Sequence, residues 1–253
     1  MPTNLQNSVT SAQALAPRTS TVLFITGAWM HTSSWDKFRG AFEDAGCKTL
    51  APAWPYLEGN PADLRANPDK RLGALTFGKI VDHYAAIINE LDEQPIIVGH
   101  SMGGLITQLL LDRGYGVAGI AIDPGPVAGA LPGPQSLLAA LPPVLSGPST
   151  PFTISREGFA RNFVNHVPVG ERNAIYDAYV VPTPSRIFYQ AALMLGTAVK
   201  AKALLGDDSL IDLMRTMRAK GVRRVPVLGA QDELIGIATL DDVLAILSEE
   251  LSL

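Results

Sequence analysis

Gly99-His100-Ser101-Met102-Gly103-Gly104 follows directly on the apolar run Pro95-Ile96-Ile97-Val98. The run predicts a buried strand, and the residues after Ser101 predict a helix, so the serine sits at the junction. Small residues at 99 and 103 let the chain turn sharply from strand to helix and project the hydroxyl into a cleft. In an open parallel sheet that cleft lies at the carboxyl ends of the strands. A helix starting at Met102 points its first amides and its dipole into the same space. The stretch therefore predicts a parallel sheet carrying a nucleophile at Ser101, with the Met102 N–H as one oxyanion donor.

The flanking sequence continues the pattern. Residues 21–26, TVLFIT, predict a strand ending at Gly27. Residues 33–46 predict a helix with Trp35, Phe38 and Phe42 on one face and Gly46 at its end. A second strand is expected over 47–54 and a loop over 56–73. A helix over 75–91 aligns Ile80, Tyr84, Ile87, Ile88 and Leu91, and the nucleophile helix covers 103–114. A strand over 117–123 is closed by Pro124-Gly125. Alternating strands and helices specify an α/β fold with a mostly parallel sheet. The second oxyanion donor is expected from the loop after the first strand, Thr26-Gly27-Ala28-Trp29, with the N–H of Ala28 as the candidate.

Residues 126–200 break this rhythm. They begin rich in proline and glycine and become helical around Ser155–Asn165 and Pro184–Leu195. Such an insertion fits either a cap over the site or extra packing helices. Its aromatics, Phe152, Phe159, Phe163, Tyr179 and Phe188, suit a small hydrophobic ester or amide.

The composition excludes several other classes. Of the 253 residues 47% are apolar and 17% charged, enough for a large core, and the net charge is −4. No basic run with interleaved aromatics is present, which argues against nucleic acid as a partner. No apolar run has the length of a membrane span. The single cysteine, Cys47, rules out an internal disulfide and fits a reducing, cytoplasmic setting. Residues 1–19 have neither a basic nor an apolar signal region and read as a disordered leader. There is no metal-ligand cluster and no glycine-rich phosphate loop, so no cofactor is expected.

Taken together, LFITGAWMHTSSWDKF, the GHSMGG turn and GIAIDPGPVAG resemble the α/β-hydrolase superfamily. They are most similar to its small cofactor-free esterases and lipases. The resemblance covers about residues 20–200 and implies a serine nucleophile, an acid after a later strand and a histidine after the last one, in the order Ser…Asp/Glu…His. Where the family usually has His-Gly, this chain has Thr26-Gly27.

The expected histidine is absent. The chain has four, at 31, 83, 100 and 166, and none beyond. His31 in the oxyanion loop and His166 in the inserted segment are the candidates for the base. His83 falls in mid-helix, and His100 is expected to pack beneath the serine turn. Candidate acids are Asp123 and Asp232. Asp123 can instead form a turn with Pro124-Gly125.

Residues 203–253 parse differently from the rest. A helix over 209–220, strands over 224–228 and 234–238, and a helix over 240–250 with Thr239 as N-cap fit every residue. The motifs Gly-Val-Arg-Arg-Val-Pro-Val and Gly-Ile-Ala-Thr-Leu-Asp-Asp resemble one repeat of a CBS domain. That resemblance implies adenosine-nucleotide contacts by Thr239 and Asp242, against which stands simple capping of the last helix. The domain plan is therefore a leader (1–19), a truncated hydrolase-like domain (20–200, cap about 126–200) and a CBS-like segment (203–253). The activity expected is a serine hydrolase on a small-molecule ester or amide, weak for want of a base. The alternative is a nucleotide-sensing or interaction protein on a disabled hydrolase scaffold. A lone CBS-like repeat leaves apolar helix faces that a homodimer through 203–253 would cover.

Overall fold

The computed structural model describes residues 20–130 and 134–199, together with the backbone of 204–205, 224–228 and 234–239. Four strands, β1 (Thr21–Ile25), β2 (Lys48–Leu50), β3 (Ile96–His100) and β4 (Ala118–Ile122), form one sheet in the order β2-β1-β3-β4. Every pairing is parallel. Leu23 lies opposite both Leu50 and Ile97, and Gly99 opposite Ala121. Strands buried on both faces must be apolar nearly throughout, and Val22, Leu23, Phe24 and Ile25 are completely buried.

Alternation along the strands divides their side chains between two cores. Leu23, Ile25 and Ile97 pack with Ile80 and Tyr84 of α3 (Phe77–Asn89) and Leu105 and Leu109 of α4 (Met102–Asp112). Val22, Phe24 and Val98 form a second cluster with Trp35, flanked by Phe42 of α1 (Asp36–Asp44) and by Ile120 and Ile122. Each large apolar side chain so buried contributes about 1.5–3 kcal/mol. Thr76 starts α3 by accepting a hydrogen bond from the Lys79 amide. α4 has no side-chain cap and is held by proximity: a Cβ on Gly103 would stand 2.3 Å from the Ile25 carbonyl oxygen.

The structure departs from the sequence expectation at three places. Residues 56–73 are not a plain loop, because they contain α2 (Pro61–Ala66) and a 3₁₀ turn over Lys70–Ala74. Asn60 caps α2 and Pro61 occupies its first position, a start signal masked by the polar composition around it. Phe38 meets Trp35 edge-on at 5.3 Å, as expected of a shared face, yet is 51% exposed. The segment opens as a 3₁₀ turn over Thr32–Trp35, so the 3.6-residue period does not run from Trp35 into α1. The inserted segment holds more helix than expected: α5 (Pro134–Leu145), α6 (Arg156–Asn162), α7 (Val169–Tyr179) and α8 (Ser185–Ala192), with the short antiparallel pair β5 (Pro151–Phe152) and β6 (Thr183–Pro184). Pro142 and Pro143 lie inside α5, which is why no helix was expected in that stretch.

Arg65 and Gly73 are among the residues that fasten the insertion to the sheet domain. Arg65 Nη1 donates to the carbonyls of Val180 (2.6 Å), Asp177 (3.1 Å) and Tyr176 (3.4 Å) at the end of α7. Gly73 passes so close to Ser149 that a Cβ would lie 2.0 Å from its carbonyl oxygen.

In the C-terminal part, β7 (Leu204–Leu205), β8 (Arg224–Leu228) and β9 (Leu234–Thr239) form a sheet of their own. β8 pairs antiparallel with β9, Arg224 opposite Thr239, and parallel with β7. The two strands expected here are thus hydrogen-bonded to each other, and Thr239, expected as the N-cap of the following helix, is the last residue of β9. The leader, the helices expected over 209–220 and 240–250, Asp232 and Asp242 lie outside the described residues.

Candidate functional site

Ser101 stands between β3 and α4 at φ 55° and ψ −122°, a conformation that side-chain-bearing residues rarely adopt. The surroundings hold it there. The Ser101 N–H donates to the Ile122 carbonyl (3.0 Å), and its own carbonyl accepts from Gly125 (2.8 Å) and Leu105 (3.2 Å). A Cβ on Gly99 would stand 2.2 Å from the Gly103 carbonyl oxygen, so no other residue fits the turn. A Cβ on Gly27 would stand 2.8 Å from Ser101 Cβ, which brings the loop after β1 directly against the serine.

That loop is fixed by the inserted segment. Trp29, at φ 63°, donates its backbone N–H to Thr183 Oγ1 at 2.6 Å, both residues being buried. The Trp29 carbonyl accepts from Val181 (3.0 Å), the His31 N–H donates to the Tyr179 carbonyl (2.8 Å), and Met30 bridges to Val180. The Trp29 indole stacks on Phe188 at 4.9 Å, meets Phe163 edge-on at 5.7 Å, and donates to the Phe152 carbonyl. Thr183 and Val181 were invisible to sequence reasoning, because nothing near them signals a partner more than 150 residues upstream. The amides of Ala28 and Met102 make no hydrogen bond to another described residue. They are the two oxyanion candidates nominated from the sequence.

The inserted segment, read as either a cap or extra packing helices, sends several of its aromatics into the core. Phe159 and Phe188 are buried, Phe159 stacks on Phe163 at 5.3 Å, and the group packs around Trp29. The open space lies on the α1 side of the sheet. A cavity of about 250 Å³ is lined by Thr26, Gly27, Met30, Ser34, Trp35, Phe38, His100 and Ile122. Its wall is mostly apolar. Away from that wall, the buried indole N–H of Trp35 has no hydrogen-bond partner among the described residues. A donor left so costs about 1–3 kcal/mol unless a ligand or water accepts from it.

The histidines are distributed as follows. His31 uses Nδ1 toward Ser33, whose backbone N–H it caps, and Nε2 toward the Gly59 carbonyl (3.0 Å), so both ring nitrogens are engaged. His83 Nε2 bonds the Ala53 carbonyl (3.0 Å). His166 is exposed between α6 and α7. Among the described residues no hydrogen bond joins the Ser101 hydroxyl to a histidine. His100, expected only to pack beneath the turn, faces the cavity. Burial holds its pKa below the ordinary 6.5, partly offset by the charge of Asp123. Asp123 ends β4 at φ 40°. No group of three or more His, Cys, Asp or Glu side chains among the described residues could hold a metal ion, and no described helix is long and apolar enough to cross a membrane.

A family model described as the Alpha/beta hydrolase family matches residues 22–245, a span that takes in the segment likened to a CBS repeat. Among solved structures, tomato methylketone synthase I complexed with 2-tridecanone is 14% identical, with a TM-score of 0.52 over 92% of this chain and 98% of that one. A mutant of polyneuridine aldehyde esterase is 14% identical, with a TM-score of 0.51 over 85% of this chain and 93% of the other. At such identities the likeness concerns the fold. No curated protein sequence matches the chain.

Proposed function

We propose, from the premise that this chain belongs to the alpha/beta hydrolase family, that it is a serine hydrolase acting through Ser101 on a small hydrophobic ester or amide. The observation that carries the reading is the backbone of Ser101. A φ of 55° at a buried strand-to-helix turn costs about 1–3 kcal/mol, and the fold holds it in place with three backbone hydrogen bonds. Strain of that kind has a use when it lifts a nucleophile to the mouth of a sheet.

The chemistry follows from the neighbours. Ser101 Oγ attacks the carbonyl carbon, and the developing oxyanion is received by the Ala28 and Met102 amides. α4 adds its N-terminal dipole. Two such donors act in a water-poor site and need no reorganisation as charge develops. The 250 Å³ cavity, lined by His100 next to Ser101 in the chain and by Gly27 of the loop against it, has the size and the mostly apolar wall for a small acyl or alkyl group. With no histidine bonded directly to the serine, turnover is expected to be modest. An oxyanion hole and binding alone still leave about 10³–10⁴-fold catalysis over water.

A fluorophosphonate probe tests the assignment. The wild type should be labelled and should hydrolyse p-nitrophenyl butyrate, and Ser101→Ala should do neither. Equal labelling and hydrolysis by both proteins would remove Ser101 from the mechanism.

A further inference from the structure

We infer that the outer face of the α5–α8 pair is an interface between two copies of this chain, with α5 of one copy lying against α5 of the other. The interface is independent of the role of Ser101. It is a different surface from residues 203–253, the place where the sequence suggested a dimer.

The pair is an antiparallel hairpin tied at both ends. Ser146, just past α5, hydrogen-bonds Ser185 at the start of α8 (2.8 Å), and the Tyr189 hydroxyl of α8 donates to the Val144 carbonyl. At the other end the Ala128 N–H donates to the Thr197 carbonyl (3.0 Å) and the Gly129 N–H to Met194 Sδ (3.4 Å). Ala140 and Val144 lay the inner side of α5 on the main core, and Pro143 beside them is buried.

The outer side is apolar as well. Leu138, Leu141 and Leu145 are 48–76% exposed. Leu193, Met194 and Leu195 are exposed just past α8, at the end of the pair where α5 begins. These are six of the nine exposed large apolar side chains among the described residues, so the exposure is concentrated here. A surface helix ordinarily carries charge on its outer side, and a helix apolar on both sides is one that is covered on both. No Asp, Glu, Lys, Arg or His occurs from Pro124 to Ser155 or from Ile187 to Val199, in a chain that is 17% charged.

Three features select a second copy as the cover. Spacing is the first. Leu138, Leu141 and Leu145 recur at i, i+3 and i+7, the narrow seam along which one helix interlocks with another. Charge is the second. Interfaces between identical chains are the most apolar kind, whereas those between different soluble proteins are about as polar as the rest of the surface. Two bodies of net charge −4 repel, and a two-fold axis beside α5 sets an uncharged face against itself. A helix lying on lipid keeps Lys or Arg beside its apolar face, and α5 has neither. Area is the third. Six side chains 40–76% exposed amount to roughly 650 Å² per copy, against about 800 Å² per partner in a standard stable interface. The exposed ring of Pro142, beside Leu141, adds to it.

The test is analytical ultracentrifugation of the full-length protein, with binding to phosphatidylcholine vesicles as a second arm. At micromolar concentration the wild type should sediment with twice the 26.9 kDa of one chain, should dissociate on dilution, and should leave the vesicles unbound. Leu141→Asp combined with Leu145→Asp sets like charges across the axis and should give a monomer with the circular dichroism of the wild type. If that variant does not fold, the wild type alone decides: on dilution through the dissociation range, the α5 amides should exchange hydrogen about tenfold faster while those of β1 and β3 hold their rates. A wild type that is monomeric throughout, a dimer that survives in the folded double variant, or α5 exchange that ignores concentration would each overturn the interface. Vesicle binding by a monomeric wild type would overturn it too, and would give the face to lipid.

Discussion

Thr183→Val isolates the joint between the inserted segment and the oxyanion loop. The substitution preserves shape and removes one oxygen. In the wild type that oxygen accepts the Trp29 backbone N–H at 2.6 Å, with Thr183 1% and Trp29 3% exposed. Water cannot replace it at such burial, so the amide is left without a partner at a cost of about 1–3 kcal/mol. Trp29 already carries a positive φ, which the hydrogen bond helps to enforce, so relaxation will recover little without moving the loop. Taking about 2 kcal/mol as the central figure, the melting temperature should fall by about 4–8 °C for a domain of this size. Ala28 precedes Trp29 directly, so loosening the loop should also cost about tenfold in kcat, with KM little changed. Differential scanning calorimetry and steady-state hydrolysis are the assays, with Thr183→Ser as the control that keeps the acceptor. A Thr183→Val protein melting within 1 °C of Thr183→Ser, on the order of the noise of such a measurement, would falsify the view that this bond holds the loop.

Gly99→Ala places a Cβ 2.2 Å from the Gly103 carbonyl oxygen and 2.4 Å from Thr107 Oγ1, and neither is free to retreat. It should destabilise by at least about 3 kcal/mol and fail to express as folded protein, which limited proteolysis would reveal. Arg65→Met keeps the aliphatic stem but removes the donor to the Asp177 and Val180 carbonyls and leaves the Tyr176 carbonyl only the Val180 N–H. A loss of about 1.5–3 kcal/mol is expected, with faster hydrogen exchange concentrated at the end of α7. Asp177 binds Arg156, whose guanidinium also lies 4.4 Å over the Tyr176 ring, and the hydrogen bond from Arg156 holds its carboxyl below the ordinary 3.8. A carboxylate with a depressed folded pKa adds stability at neutral pH that disappears as pH falls through that lowered value. Asp177→Asn should therefore flatten acid unfolding in that range, and identical urea midpoints for the two proteins down to acid pH would show the pair to be idle.

The histidine question illustrates where sequence reasoning stops. Counting four histidines and finding none near the C-terminus required only the sequence. Assigning His31 as a candidate base was reasonable from its place in the oxyanion loop, yet its two nitrogens are taken by Ser33 and Gly59. Gly59 is far along the chain, in a stretch that read as featureless. Phe38 keeps its edge-on contact with Trp35 yet stays half exposed, because a 3₁₀ turn precedes α1 and an amphipathic pattern does not register that change of geometry. The inserted segment left a choice between cap and packing helices that its composition could not make. Phe159, Phe163 and Phe188 are as suited to packing around a tryptophan as to lining a pocket, and composition does not distinguish the two.

By itself the sequence determined the parallel α/β architecture, the strand-to-helix turn at Ser101 and the loop that lies against it. Those features are local. Apolar runs of strand length, helical periodicity and glycines where no side chain fits are all set by neighbours within a few residues. Tertiary structure alone decided that the Trp29 amide is held by Thr183, that aromatics of the inserted segment pack around Trp29, and that His100 lines a cavity on the α1 side of the sheet. These depend on contacts between residues far apart in the chain. Such contacts are made by side chains whose identity is compatible with several partners, and only the packed chain selects among them.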